Sequence, residues 1–167
     1  MLSNISKILI LNIILKLISC RILDLNLLNE LEYDNSSIEI DLSKRSIDSI
    51  ELNTFKNYGN LEIIYLQDNK LKKLENQTFK YLNNLRELWL EDNNLVDINQ
   101  NVFKELYNLE KVCLFNNPIS ILFPSFISNL CRLNNKCKII YIEKCEKTQL
   151  TTTKITTKSA SIEGKSY

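Results

Sequence analysis

Apolar residues recur along the middle of the chain at fixed offsets. In Leu85-Arg86-Glu87-Leu88-Trp89-Leu90-Glu91-Asp92-Asn93-Asn94-Leu95 they fall at Leu85, Leu88, Leu90 and Leu95, with Asn93 between the last two. The same pattern stands 24 residues earlier as Leu61, Ile64, Leu66, Asn69 and Leu71, and 24 residues later as Leu109, Val112, Leu114, Asn117 and Ile119. A fixed period of this length marks a solenoid of stacked coils. Within each unit, alternation such as Leu88-Trp89-Leu90 predicts a short strand with one buried and one outward face. Stacking would join Leu66, Leu90 and Leu114 in one continuous core. Asn69, Asn93 and Asn117 would form an inward ladder, bonding turn backbone groups otherwise buried without partners.

The first unit is degenerate: Ile40, Leu42 and Ile47 keep the register, but Ser37 replaces the leading Leu and Arg45 the Asn. Terminal coils are usually atypical, so this departure fits an edge. The later half of each unit repeats as well, with Ile50 and Phe55 recurring as Leu74 and Phe79, then as Ile98 and Phe103. In the last unit the pair is Leu122 and Phe126, one residue closer, and Pro118 and Pro124 mark a looser winding. Taken together, Leu-x-x-Leu-x-Leu-x-x-Asn-x-Leu followed by an aliphatic residue and a Phe resembles the leucine-rich repeat of the 24-residue type common in extracellular proteins, over four copies in residues 37–132. The resemblance implies an α/β solenoid. Its form is a right-handed horseshoe with a concave parallel β-sheet and a convex side of loops and short helical turns.

The ends depart from the period. Residues 1–20 carry Lys7, the apolar run Ile8–Ile18 and small residues before a cut after Cys20, as a secretory signal peptide would. A buried terminal helix, or a lipid on Cys20 after the box Leu17-Ile18-Ser19-Cys20, are the alternatives. Residues 21–36, apolar and then polar, read as an N-terminal cap that covers the first coil. Residues 133–145 read as a C-terminal cap, in which Ile139-Ile140-Tyr141-Ile142 supplies a last strand in a shifted register while Lys136 and Lys138 take the inward positions of the regular one. Residues 146–167, rich in Thr, Ser and Lys, read as a disordered tail.

Composition narrows the chemistry. The 167 residues carry a net charge of +1 and no His. A signal cut at Cys20 leaves 19 basic against 20 acidic residues, without a basic stripe for nucleic acid. Without His, the Ser and Cys nucleophiles lack their usual activating base, and no Gly-rich phosphate cradle is present. No enzymatic activity, cofactor or metal is expected. Cys113, Cys131, Cys137 and Cys145 are the disulfide candidates of a secreted chain. The 24-residue interval between Cys113 and Cys137 favours that pair, together with Cys131–Cys145. A free Cys113, with one cap cysteine also unpaired, is the alternative. Asn35 and Asn76 stand in glycosylation sequons, Asn76 on the outer side of its coil.

The outward sheet positions are where the repeats differ. They hold eight acidic residues (Glu39, Asp41, Glu62, Asp68, Glu87, Glu91, Asp92, Glu110) and three basic ones, Lys44, Arg86 and Lys111. Tyr65 and Trp89 occupy equivalent places on adjacent strands, with Phe115 one strand further. An exposed aromatic row rimmed by carboxylates is a candidate protein-recognition surface, since Trp and Tyr are enriched at binding hot spots. The expected contact residues are Tyr65, Trp89, Asp68, Glu91, Asp92 and Phe115, and the expected partner is a protein with a basic or aromatic surface. The expected setting is extracellular. The alternatives are a structural protein that self-associates in a coat or matrix, and an intracellular adaptor with an uncleaved amino end.

Overall fold

A computed structural model describes residues 21–122, 138–140 and 144–146. The periodic positions produce one parallel sheet built from one short strand per coil: β2 (Glu39–Asp41), β4 (Ile63–Tyr65), β6 (Glu87–Trp89), β8 (Lys111–Cys113) and β9 (Lys138–Ile140), in that spatial order. Ile40, Ile64, Leu88 and Val112 stand level with one another across β2, β4, β6 and β8. Their side chains are fully buried, as are those of Leu42, Leu66, Leu90 and Leu114, which turn the chain inward after each strand. The later half of each coil adds two-residue strands, β5 (Lys73–Leu74) paired with β7 (Asp97–Ile98). It also contributes Phe55 and Phe79, whose rings stack at 6.0 Å. These buried residues form one continuous core. No single coil could bury its apolar edge alone.

Strands β2, β4, β6 and β8 are each followed by a residue with positive φ, at Lys44, Asp68, Asp92 and Asn116. Asp and Asn tolerate this conformation because their short polar side chains bond locally. The Asn ladder forms, with a direction that explains the first coil. Asn93 Oδ1 accepts from Leu71 N–H at 3.1 Å, and its Nδ2 donates to the Leu66 and Leu90 carbonyls at 2.9 and 3.0 Å. Asn69 and Asn117 repeat these bonds. Each Asn therefore ties its own coil to the one before. Among the described residues the first repeat has no equivalent coil behind it, and Arg45 stands there, its Nε donating to its own coil's Asp41 carbonyl at 3.4 Å. A second, exposed ladder was not anticipated from the pattern: Asn60, Asn84 and Asn108 donate to the carbonyls of Asn35, Gly59 and Asn83 at 2.8–2.9 Å.

The amino-terminal segment closes the open end. β1 (Arg21–Leu23) pairs in parallel with β3 (Ile47–Ile50), and α1 (Leu25–Glu30) is capped by Asp24, whose carboxylate accepts from Leu27 N–H at 2.8 Å. Leu23, Leu27 and Leu28 complete the core there. Tyr33 protects the free edge of β2: its hydroxyl accepts from Asp41 N–H at 2.9 Å and donates to Asp41 O at 3.3 Å. An unpaired sheet edge otherwise invites association with another chain.

The fourth coil departs from the pattern as its prolines suggest. Pro118 opens a short helix, α2 (Pro118–Leu122), where coils two and three have β5 and β7. Leu122, in register with the buried Ile98, is consequently 59% exposed. The last strand is indeed shifted: Val112 lies opposite Ile139, not Lys136, so Lys138 comes level with Lys111 and β9 keeps an apolar residue beside the core row. Phe126, Cys131, Cys137 and all of the expected tail beyond Glu146 lie outside the described residues, as do the signal-like residues 1–20. Among the described residues no helix is long and apolar enough to cross a membrane.

Candidate functional site

The outward column of the sheet runs Asp41, Tyr65, Trp89, Cys113. Burial grows along it: Asp41 is exposed, Tyr65 is 7% exposed, Trp89 1% and Cys113 not at all. The expectation of an exposed aromatic row is therefore corrected for Tyr65 and Trp89. The cause is a return of the chain. Cys113 forms a disulfide with Cys145, and residues 144–146 lie across this end of the sheet face. Cys145 N–H donates to Glu91 Oε2 at 3.2 Å, and Lys111 Nζ donates to Glu146 O at 2.8 Å. Tyr65, Trp89, Cys113 and Cys145 form a second apolar cluster, separate from the interior core, with Ile63 against it.

This disulfide also corrects the expected pairing of Cys113 with Cys137 and of Cys131 with Cys145. A 24-residue advance would have set Cys137 beside Cys113, but the shift of β9 puts Ile140 there instead. Cys113 is then met by Cys145 from the segment beyond the last strand.

Trp89 is fixed from all sides. Its ring lies 5.7 Å from that of Tyr65, the Lys111 ammonium stands 4.1 Å above it, and its indole Nε1 donates to Glu87 Oε2 at 3.1 Å. A cation over an indole face is an electrostatic attraction that strengthens with loss of water. Burial pushes the Tyr65 hydroxyl up to about 12, helped by the Glu39 and Glu87 carboxylates, so it stays protonated at any physiological pH. Arg86 is shared between Glu110, in a two-pronged contact at 3.2 Å, and Glu62 at 3.7 Å. With Arg86 and Lys111 so engaged, the outward charge of the sheet face is Glu39, Asp41, Asp68 and Asp92 against the exposed Lys44.

Of the six expected contact residues, Asp68 is exposed, Asp92 and Phe115 are half-buried, and Tyr65, Trp89 and Glu91 are covered. Asp92 accepts from Asn116 Nδ2 at 2.6 Å. Glu91, Cys113 and Cys145 place potential ligand atoms within 4.8 Å of one another, but the two sulfurs are bonded together and are not thiolate ligands in this state. Asn35 and Asn76 are both exposed.

Burial raises the Glu91 carboxyl above its ordinary value, partly opposed by the Cys145 N–H and further raised by the charge of Asp92. Below the ordinary value of 4.5 the group is protonated in folded and unfolded chains alike. As pH rises past that point the unfolded chain ionises first, and stability falls until the folded carboxyl ionises too. Glu91→Gln keeps an oxygen for Cys145 N–H and removes this penalty. Thermal melts are expected to show a higher Tm for the variant at neutral pH, by a few degrees at most, with the gap closing below pH 4.5. A gap that widens toward acid would contradict the assignment.

Coils stacked through one parallel sheet, a buried Asn ladder and a single continuous core define a repeat solenoid of about four turns. Residues 39–95 match the family model described as leucine rich repeat, and the coils built from them are repeats of that kind. No curated protein matches it at the level of sequence. Among solved structures, the Toll–Spatzle complex of Drosophila contains a chain with a TM-score of 0.60 and 22% identity, covering 74% of this chain and 17% of that one. A chain of the TLR13–ssRNA13 complex gives 0.61 and 23%, covering 72% and 16%. One of the Drosophila melanogaster SNF/U2A′ complex gives 0.57 and 26%, covering 71% and 67%. The chain thus spans about a sixth of the first two.

Proposed function

We propose that this chain is a secreted recognition module that binds a protein partner through the sheet face of its solenoid, without catalysis. The observation that carries this reading is the outward charge of that face. Glu39, Asp41, Asp68 and Asp92 surround the Tyr65–Trp89 pair, while Arg86 is engaged by two carboxylates and Lys111 by the indole and a carbonyl. A partner with a basic or aromatic surface complements this arrangement, and charge of one sign on an interface speeds encounter and excludes like-charged partners. The fold supports an interaction role, since Toll and a chain of the SNF/U2A′ complex are leucine-rich repeat proteins seen in complex with other proteins. TLR13 is seen with RNA, which fits the acidic face of this chain poorly. The Cys113–Cys145 disulfide supports an oxidising compartment, and exposed Asn35 and Asn76 would be available for glycans there.

A pull-down with the chain cut after Cys20, followed by titration of the captured partner, tests the reading. Glu39→Lys with Asp68→Lys is expected to weaken binding roughly tenfold and to flatten its salt dependence. Unchanged affinity in a folded double variant would sink the sheet-face assignment. Mass spectrometry of the native protein addresses the intracellular adaptor: an intact Met1 with reduced cysteines contradicts secretion. Sedimentation as a monomer independent of concentration counts against self-association in a coat or matrix.

A further inference from the structure

We propose that the Cys113–Cys145 disulfide is a redox latch, holding residues 144–146 over the Tyr65–Trp89 pair so that reduction by a dithiol uncovers an aromatic surface that the oxidised protein conceals. The proposal rests on the reading of the sheet face as the binding surface, and it adds what controls access to it.

Three observations carry it. The outward side of a solenoid's sheet ordinarily meets solvent, yet here burial increases strand by strand toward the returning segment, from Asp41 through Tyr65 and Trp89 to Cys113. The same holds one column over, where Glu91 is 6% exposed while its equivalents Ser43, Gln67 and Phe115 are only half-buried. The cover is short: among the described residues its links to the sheet are the disulfide, the apolar packing of Cys145 with the Tyr65–Trp89 cluster, and two hydrogen bonds, Cys145 N–H to Glu91 and Lys111 Nζ to Glu146 O. One buried and one exposed hydrogen bond offset only part of the entropy of ordering three residues, and the covalent bond supplies the rest of the hold. Finally, β9 pairs with β8 through backbone bonds of its own, so opening the latch leaves the last strand in place and the cover tethered for reclosure.

Cys145, 7% exposed, is the sulfur a reductant reaches; Cys113 is fully buried. A dithiol's thiolate attacks Cys145 Sγ, the S–S bond breaks, and Cys113 leaves as a thiolate that takes up a proton. The reductant's second thiol then closes on the mixed disulfide, releasing Cys145 as a thiol. Two electrons and two protons pass to the protein, and the dithiol leaves as its own disulfide.

Trp89 is the only tryptophan in the chain and reports directly on the cover. Its emission and acrylamide quenching are measured in the full chain, oxidised and after dithiothreitol, together with far-UV circular dichroism. Reduction is expected to shift the emission to the red and to raise the quenching constant severalfold, with the dichroism unchanged and both changes reversed by reoxidation. Cys145→Ser is expected to show the open signature without reductant and no further response to it. Unchanged quenching on reduction would show that the contacts alone hold the segment, and the latch would be a staple only. Loss of the dichroism together with the shielding would make the bond a support of the fold, and a response of Cys145→Ser to reductant would assign the effect to other cysteines; each overturns the proposal. The readout involves no partner, so its failure leaves the sheet-face reading standing, and a sheet face that binds nothing leaves the latch measurable.

Discussion

Asn93→Ala is expected to remove roughly 2–4 kcal/mol of stability, a large part of what a domain of this size possesses. The side chain is 4% exposed and fully bonded. Its losses are unequal. The Leu66 carbonyl keeps a second donor in Asn69 Nδ2 at 2.9 Å, and the Leu90 carbonyl keeps Asn117 Nδ2 at 2.8 Å. Leu71 N–H has only Asn93 Oδ1 as its acceptor among the described residues, so the variant strands a buried backbone donor as well as losing its own bonds. Asn93→Asp separates the two contributions: it retains an oxygen for Leu71 N–H but loses all three bonds donated to the Leu66, Leu90 and Glu91 carbonyls and buries a charge, so it should cost at least as much. The neighbouring Asn94 is exposed, and Asn94→Ala should stay within about 0.5 kcal/mol of the parent. Urea unfolding followed by far-UV dichroism decides the matter. Equal midpoints for Asn93→Ala and Asn94→Ala would mean that the ladder is not a source of stability.

That ladder was legible in the sequence because a solenoid repeats whatever it buries. When coils stack, the same position meets the same neighbours in every turn, so Ile64, Leu88 and Val112, or Asn69, Asn93 and Asn117, must recur at the period. The ladder of Asn60, Asn84 and Asn108 recurs just as regularly, but its members are exposed, and surface Asn in an Asn-rich chain carries no comparable signal. The site was half legible. Outward positions were identified correctly from strand alternation, since Tyr65, Trp89 and Cys113 do lie in one register. Their burial was not, because it depends on a contact the period cannot express: Cys145 reaches Glu91 across 54 residues, after the repeats have ended. The expected Cys113–Cys137 pair failed for the same physical reason. It extended the period through β9, where an apolar residue beside Val112 takes precedence over the 24-residue step.

Phe79→Ala is expected to cost about 3–5 kcal/mol, the largest loss for a single side chain in the outer half of the coils. The ring is fully buried and stacked on Phe55, which in turn meets Tyr58 edge-on at 6.5 Å. Truncation leaves a void between two coils, and the aromatic pair contributes on the order of 0.5–1.5 kcal/mol beyond its buried area. Phe79→Leu refills most of the volume and should cost less than about half as much. Val96→Ala, at a site 50% exposed, supplies the near-neutral control. In a solenoid each coil is stabilised by its neighbours, so the damage should spread to the coils on either side of Phe79 and lower cooperativity as well as the midpoint. The sheet face lies on the opposite side of the same coils. In the folded fraction of Phe79→Ala, Trp89 should therefore keep its shielded emission, because Tyr65, Lys111 and the Cys113–Cys145 bond that enclose it make no use of the outer half. Loss of that shielding while the dichroism persists would show that the outer rings position the sheet strands as well as fill the coil, and that the two halves cannot be treated as separate supports.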